Sequence, residues 1–213
     1  MPTETNEVKA TYLNVMSDGK FHQKVDEGTP GAVLREGELK DGTKYSKWEL
    51  LSEEITGTIK GVDTFDGGYG KNLNLRMDVH GEDVSVSFST LSDFGKDMLH
   101  KVLSLNLNLP VTLTPFIEPT AKVNKNGEVI SRKGVKVIQN NQEIYSHFQK
   151  WDKELGRFIP QNGMPEGPVA KPGKKVSPDE WKMYFMAARI FMIDAVETHF
   201  KVGSSEVDKK FNA

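Results

Sequence analysis

With 213 residues, 37% of them apolar, the chain has material for one ordinary domain with appendages and one sizeable core. It contains no cysteine, which excludes a disulfide framework, a thiolate nucleophile and a cysteine-based zinc site. Net charge is −2, no apolar run reaches the roughly 18 residues that span a bilayer, and "MPTETNEVKATY" lacks the basic start and apolar middle of a signal peptide, so a cytoplasmic location is expected.

Residues 1–42 read as an acidic, glycine-punctuated extension that packs on the barrel domain C-terminal to it. It holds one clear strand-like run, "ATYLNV", then "GKFHQKV" and the turn-rich "DEGTPGAVLREGELKDG". From Lys44 the pattern sharpens. "KYSKWELL" and "EITGTIKGVDTF" read as strands, the second with Ile55, Ile59 and Val62 on its apolar side and Thr56, Thr58 and Lys60 facing away. The next stretch, "DGGYGK", invites comparison with phosphate-binding loops. A P-loop needs a glycine where Phe65 stands and a Ser or Thr where Asn72 stands, and the dinucleotide pattern fails at Leu73. A β-hairpin tip remains.

Beyond it, Leu73, Leu75, Met77 and Val79 alternate strictly with Asn72, Asn74, Arg76 and Asp78. "HGED" turns the chain into "VSVSF", where Val84, Val86 and Phe88 alternate with serines. The period then changes. Ser92 is a candidate cap for a helix bearing Phe94, Met98, Leu99 and Val102, with Gly95 a modest penalty inside it. Strand signals resume in "LPVTLTPFIEPT". A lysine-rich turn comes next, containing Asn126-Gly127, a two-residue hairpin signal, and leads into "VKVIQ". Strand, strand, strand, helix, strand, strand is the layout of an OB-fold, a five-stranded Greek-key barrel with a helix between its third and fourth strands. The expected class is therefore mainly β, with an OB-fold domain over 43–155.

Within that span, residues 141–155 read as a short helix or helix-like segment carrying Ile144, Tyr145, Phe148 and Trp151. Residues 156–176, dense in proline and glycine, read as a linker. The 177–213 segment opens on "SPDEW", where Ser177 caps, Pro178 takes the first helical position and Glu180 completes a capping box. The helix over 178–200 is apolar almost all round in its middle, which calls for burial on the barrel or, second, dimerisation.

Charge is local. Residues 120–140 hold Lys122, Lys125, Arg132, Lys133 and Lys136 against Glu128 alone, and residues 156–176 hold Arg157, Lys171, Lys174 and Lys175 against Glu166. Such clusters let an acidic protein offer a basic surface to a polyanion, or are simply solvated loops. The histidines His22, His80, His100, His147 and His199 are scattered singly, outside any H-E-x-x-H spacing, and no G-x-S-x-G elbow occurs. No cofactor and no catalytic group is expected, although a site assembled from dispersed carboxylates, as in a small hydrolase or nuclease, stays open.

In an OB-fold the second and third strands, with the loops after strands one and four, form a groove for oligonucleotides or oligosaccharides. Candidate nucleic-acid contacts are Lys60, Phe65, Tyr69, Lys71, Asn74, Arg76, Lys122, Lys125, Arg132, Lys133 and Lys136, with Ser85 and Ser87 leaving room. Aromatics that stack on any base, combined with cations that follow phosphates, suit sequence-tolerant single-strand binding. Phe65 has a competing place in the core, and Tyr45, Trp48, Tyr145 and Trp151 are expected to pack.

The stretch from "KYSKWELL" to "LTPF" and the basic hairpin after it, about residues 44–140, resembles the OB-fold single-stranded-DNA-binding proteins of tailed bacteriophages. The similar features are the W-E-L strand, the "GGYGK" loop, the "FGKDMLHKVL" helix and the "LTPF" strand. The resemblance implies coating of single strands in phage DNA replication or recombination, in the host cytoplasm, with Tyr69, Lys71, Asn74 and Arg76 in the groove. One departure stands out. "KVGSSEVDKKFNA" is not the acidic tail by which many such proteins recruit partners, so the 178–200 helix is the candidate surface for a homodimer or a replication protein. The rival reading is a protein-interaction or inhibitor module with the barrel as scaffold.

Overall fold

Alternation of apolar and polar residues places every second side chain on one face of a strand, and here it builds the core. In the computed structural model, which describes residues 10–38, 42–68, 70–170 and 172–201, Leu73, Leu75, Met77, Val84, Val86 and Phe88 are all buried. The strands are β1 (Thr11–Val15), β2 (Phe21–Val25), β3 (Val33–Glu38), β4 (Lys44–Ser52), β5 (Ile55–Gly67), β6 (Gly70–Val79), β7 (Glu82–Ser89), β8 (Pro110–Val123), β9 (Val129–Gln139), β10 (Gln142–Glu143), β11 (Gln149–Asp152) and β12 (Arg157–Pro160). Helix α1 (Asp93–Lys101) follows β7, and α2 (Pro178–Lys201) ends the described chain. The protein is mainly β: a mixed ten-stranded sheet ordered β10-β9-β8-β5-β6-β7-β1-β2-β4-β3, a separate β11–β12 hairpin, and a C-terminal helix.

The extension does more than pack on the sheet. β1 joins β7 in parallel, with Tyr12 opposite Ser85 and Asn14 opposite Ser87. β2 and β4 continue outward from it, and the turn-rich segment supplies the edge strand β3. The spacing of Ile55, Ile59 and Val62 breaks period two because the β5–β6 register shifts between Ile59 and Gly61, making Lys60 the extra, bulged residue.

α1 stands between β7 and β9. Asp97 accepts the Val135 N–H at 2.7 Å, Lys101 Nζ donates to the Val135 carbonyl at 2.7 Å, and the two side chains pair at 2.8 Å. A helix thereby satisfies a backbone edge that would otherwise need a strand. Phe94, Met98, Leu99 and Val102 point into the core, and Ser92 Oγ caps α1 by accepting the Gly95 N–H at 3.0 Å.

Three local expectations change. The 141–155 segment is not helical: β10 extends β9, and β11 pairs with β12, seating Trp151 opposite Phe158. Asp152 accepts the N–H groups of Glu154 and Leu155 at 2.9 Å each, which turns the chain locally where a helix would have to continue. The 156–176 stretch begins with β12 and then buries Met164 in the core. The Asn126-Gly127 pair is not a two-residue turn, since the loop runs from Asn124 to Glu128 and Gly127 alone takes positive φ, at 80°.

The capping box of α2 forms as written, with Ser177 Oγ accepting the Glu180 N–H at 3.2 Å and Glu180 accepting the Ser177 N–H at 2.7 Å. Burial of this helix is one-sided. Ala188, Met192, Ile193 and Val196 enter the core, whereas Met183, Phe185, Met186 and Ile190 are exposed. Among the described residues no helix is long and apolar enough to cross a membrane.

Candidate nucleic-acid interface

The parity that sends Leu73, Leu75 and Met77 inward sends Asn72, Asn74 and Arg76 outward, opposite Ser89, Ser87 and Ser85 respectively. Ser85 Oγ donates to Asn74 Oδ1 at 2.7 Å, so a row of short polar groups floors this face. The Arg76 guanidinium packs closely against Gly61. A Cβ there would stand 2.6 Å from Nη2, so only glycine admits this pose. Its Nε is 3.2 Å from Asp63 Oδ2.

The same face runs on through β1 and β2 to β4. Asn14, His22, Lys24 and Lys47 join Asn72 and Ser87 around a cavity of about 340 Å³. Beneath them Glu49, 2% exposed, takes His22 Nδ1 at 2.6 Å, Lys47 Nζ at 2.8 Å and Arg35 Nη1 at 3.6 Å, while His22 Nε2 meets Asp18 at 3.0 Å. Burial pushes the Glu49 carboxyl up, but hydrogen bonds from Lys47 and His22 and their charges outweigh it and hold the group below its ordinary range. A buried carboxylate thus fixes a small set of cations at the rim.

Comparison with protein-family models, with curated proteins and with solved structures returns no match to this chain. Asn74 and Arg76 share the polar face. Lys60 projects from the bulge at its border and pairs with Asp78 at 3.6 Å. Phe65, opposite Asn72, is exposed and not core. Tyr69 lies outside the described residues, as does the tail beyond 201.

Lys71 stands off the polar face. It has the parity of Leu73, and at this end of β6 that side meets α2, where Lys71 and Thr64 both donate to Glu197 Oε1. The Glu197 hydrogen bond raises the Lys71 pKa above its ordinary value despite some desolvation. The pair ties α2 to the glycine hairpin. Glu197→Gln is expected to lower stability by about 0.5–1 kcal/mol at neutral pH, a small value because Lys71 is partly solvated. The loss, read from urea midpoints, should persist up to about pH 10.4 and vanish only above it, since a raised lysine pKa stabilises below the unfolded value and fades through the folded one.

The basic turn forms an exposed arm. Lys122, Lys125 and Arg132 are solvent-facing, with Arg132 over the Phe116 ring at 5.2 Å. Lys136 and Lys133 differ in parity and so occupy opposite faces of β9. Lys133 sits opposite Ile117, against which Gly19 of the β1–β2 turn packs. That contact brings the base of the arm to the end of the strands that carry Asn14 and His22. Tyr145 and Trp151, expected to pack, are 70% and 49% exposed. Sequence reasoning misses Tyr12, Asn14, Lys24 and Lys47; the alternation of Tyr12 and Asn14 about Leu13 is a signal for the first two, whereas Lys24 and Lys47 reach the same face only through the pairing of β2 with β1 and β4.

Proposed function

We propose that this protein is a non-enzymatic OB-fold protein that binds single-stranded DNA with little sequence preference. The succession β5, β6, β7, α1, β8, β9 and the neighbour order β9-β8-β5-β6-β7 support the fold. These are the order of elements and the adjacency of a partly open Greek-key barrel, with α1 filling the gap between its third and fifth strands. The observation that carries the function is the outward face of β6 and β7. It has a serine and asparagine floor, Arg76 packed against Gly61, Phe65 at one end and a basic arm nearby. Flat aromatic and guanidinium groups stack on any base, and mobile lysines follow phosphates. The resemblance adds the setting: coating of single strands during phage DNA replication or recombination.

Anisotropy titration of labelled oligo-dT at two salt concentrations tests this reading. Binding should be tight at low salt and fall steeply as salt rises. Arg76→Ala should weaken it by roughly three- to tenfold and reduce the salt slope by about one at most, since Asp63 already offsets part of the charge. Absent or salt-insensitive binding would overturn the assignment.

A second reading has its own observation. The exposed Trp181, Met183, Phe185, Met186 and Ile190 on the first half of α2 suit a protein partner or a second copy of the chain. On that reading the barrel is the scaffold, and pull-down through α2 would occur without oligonucleotide.

A further inference from the structure

We infer that the single-strand path continues past β7 onto β1, β2 and β4, with Tyr12 as a base-stacking residue and Lys24 and Lys47 as backbone contacts. This rests on the single-strand reading and extends it to strands outside the barrel order.

Tyr12 is 68% exposed although β1 is flanked by strands on both sides. Among the described residues most other exposed large apolar side chains stand on edge strands, in loops and hairpin ends or on α2, and Leu51 and Ile117, on inner strands, are only 39% and 37% exposed; Tyr12 stands on the open face of an inner strand. Its neighbour across the ladder is Ser85, and beyond Ser85 in the same row is Arg76. A short side chain next to a flat ring leaves a slot as wide as one strand spacing, about 4.8 Å, in which a base can lie on the ring face. A lone exposed tyrosine on a strand is ordinary, because tyrosine favours strands and solitary surface aromatics are common. Here it adjoins a built cavity, and its row leads into the proposed groove.

That cavity, about 340 Å³, has Asn14, His22, Lys24, Lys47, Glu49, Asn72 and Ser87 in its lining, so it draws on β6 and β7 as well as on the extension. Two lysines, Lys24 and Lys47, stand in that lining against one carboxylate, Glu49. The Glu49 carboxylate is sunk beneath the cations it holds, so an approaching phosphate meets ammonium groups first. From β6 to β4 is four strand spacings, about 19 Å. A strand that leaves Arg76 passes Tyr12 and then reaches Lys24 and Lys47.

The test uses the full chain with two oligo-dT lengths, about 4 and about 16 nucleotides, the limits typical of one barrel. Tyr12→Ala should weaken binding of the longer oligomer roughly tenfold, and Tyr12→Phe should restore it. Lys24→Ala should lower the salt slope for the longer oligomer by about one. The shorter oligomer, which the β6–β7 face can hold alone, should change less in each case. Ultraviolet crosslinking of a 5-bromouracil-substituted strand should modify the peptide containing Tyr12. Thermal melts of the variants, whose side chains are exposed, should match the parent. Should the parent bind with its full salt dependence while Tyr12→Ala binds equally well and crosslinks stay within β5–β7, the extended path is wrong and the barrel reading survives. No binding by the parent overturns both.

Discussion

Gly95→Ala is expected to destabilise the protein by about 2–4 kcal/mol, although helix propensity alone predicts a gain of about 1 kcal/mol. The sign is decided by what stands over the helix. A Cβ at Gly95 would lie 2.0 Å from the Ser89 carbonyl oxygen and 2.6 Å from its carbon, both backbone atoms at the end of β7. Neither can rotate away. The same carbonyl accepts the Ser92 N–H at 3.0 Å and the Ser92 hydroxyl at 2.8 Å, and Ser92 Oγ in turn accepts the Gly95 N–H at 3.0 Å. Pushing α1 outward to relieve the clash breaks this cap, worth about 1 kcal/mol, and lifts Phe94, Met98 and Leu99 from the core. Urea midpoints of the variant and the parent measure the difference, and a midpoint equal to or above that of the parent would mean that the helix does not sit this close. Since Ser89 also faces Asn72 across the ladder, the variant should disturb the polar face as well.

Gly95 also marks where sequence reading stops. Its spacing places it in a helix, but the reason for glycine is a carbonyl six residues back that only the folded corner brings near. The β6–β7 face was legible because both strands alternate strictly and adjoin in sequence. Lys71 was misplaced although the signal existed, since the parity that buries Leu73 puts Lys71 on the same side. The 141–155 segment misleads for a different reason. Phe148 is buried by His100 and Phe191, more than 40 residues away on either side, so its apolar spacing reflects distant partners instead of a helical period. The join of β1 to β7 is invisible in either strand alone. Parallel pairing across some 70 residues leaves no local turn signature, and the extension's share of the face depends entirely on that join. β3 was hidden by Gly37 and by the turn-forming run that precedes it. Gly37 lies under the Tyr45 ring, where a Cβ would meet the hydroxyl at 2.5 Å, so a residue that reads as a turn former is a packing requirement of an edge strand.

Removing the carboxylate at position 49 should be as damaging as crowding position 95. Glu49→Ala is expected to cost about 2–3 kcal/mol at neutral pH, at or just below the roughly 3–5 kcal/mol of a fully buried ion pair, because Lys47 and Arg35 keep some contact with water. Without the carboxylate, His22, Lys47 and Arg35 converge on an empty site, and His22, 7% exposed, loses its 2.6 Å partner. The pH dependence separates this cause from simple loss of packing. A carboxyl held below its ordinary value stabilises fully above its unfolded pKa, and that contribution disappears as pH falls through the lowered folded value. The parent should therefore lose stability below about pH 4.3 more steeply than Glu49→Ala, and the two midpoints should converge as the pH drops. Glu49→Gln, which keeps the volume and one acceptor but not the charge, should fall between them at neutral pH. Hydrogen exchange offers a local reading: protection should drop first in β2 and β4, whose ladder runs through Lys24 and Glu49. Parallel pH profiles for parent and alanine variant would show that the carboxylate acts as filler, and that the cations at the rim are positioned by something else.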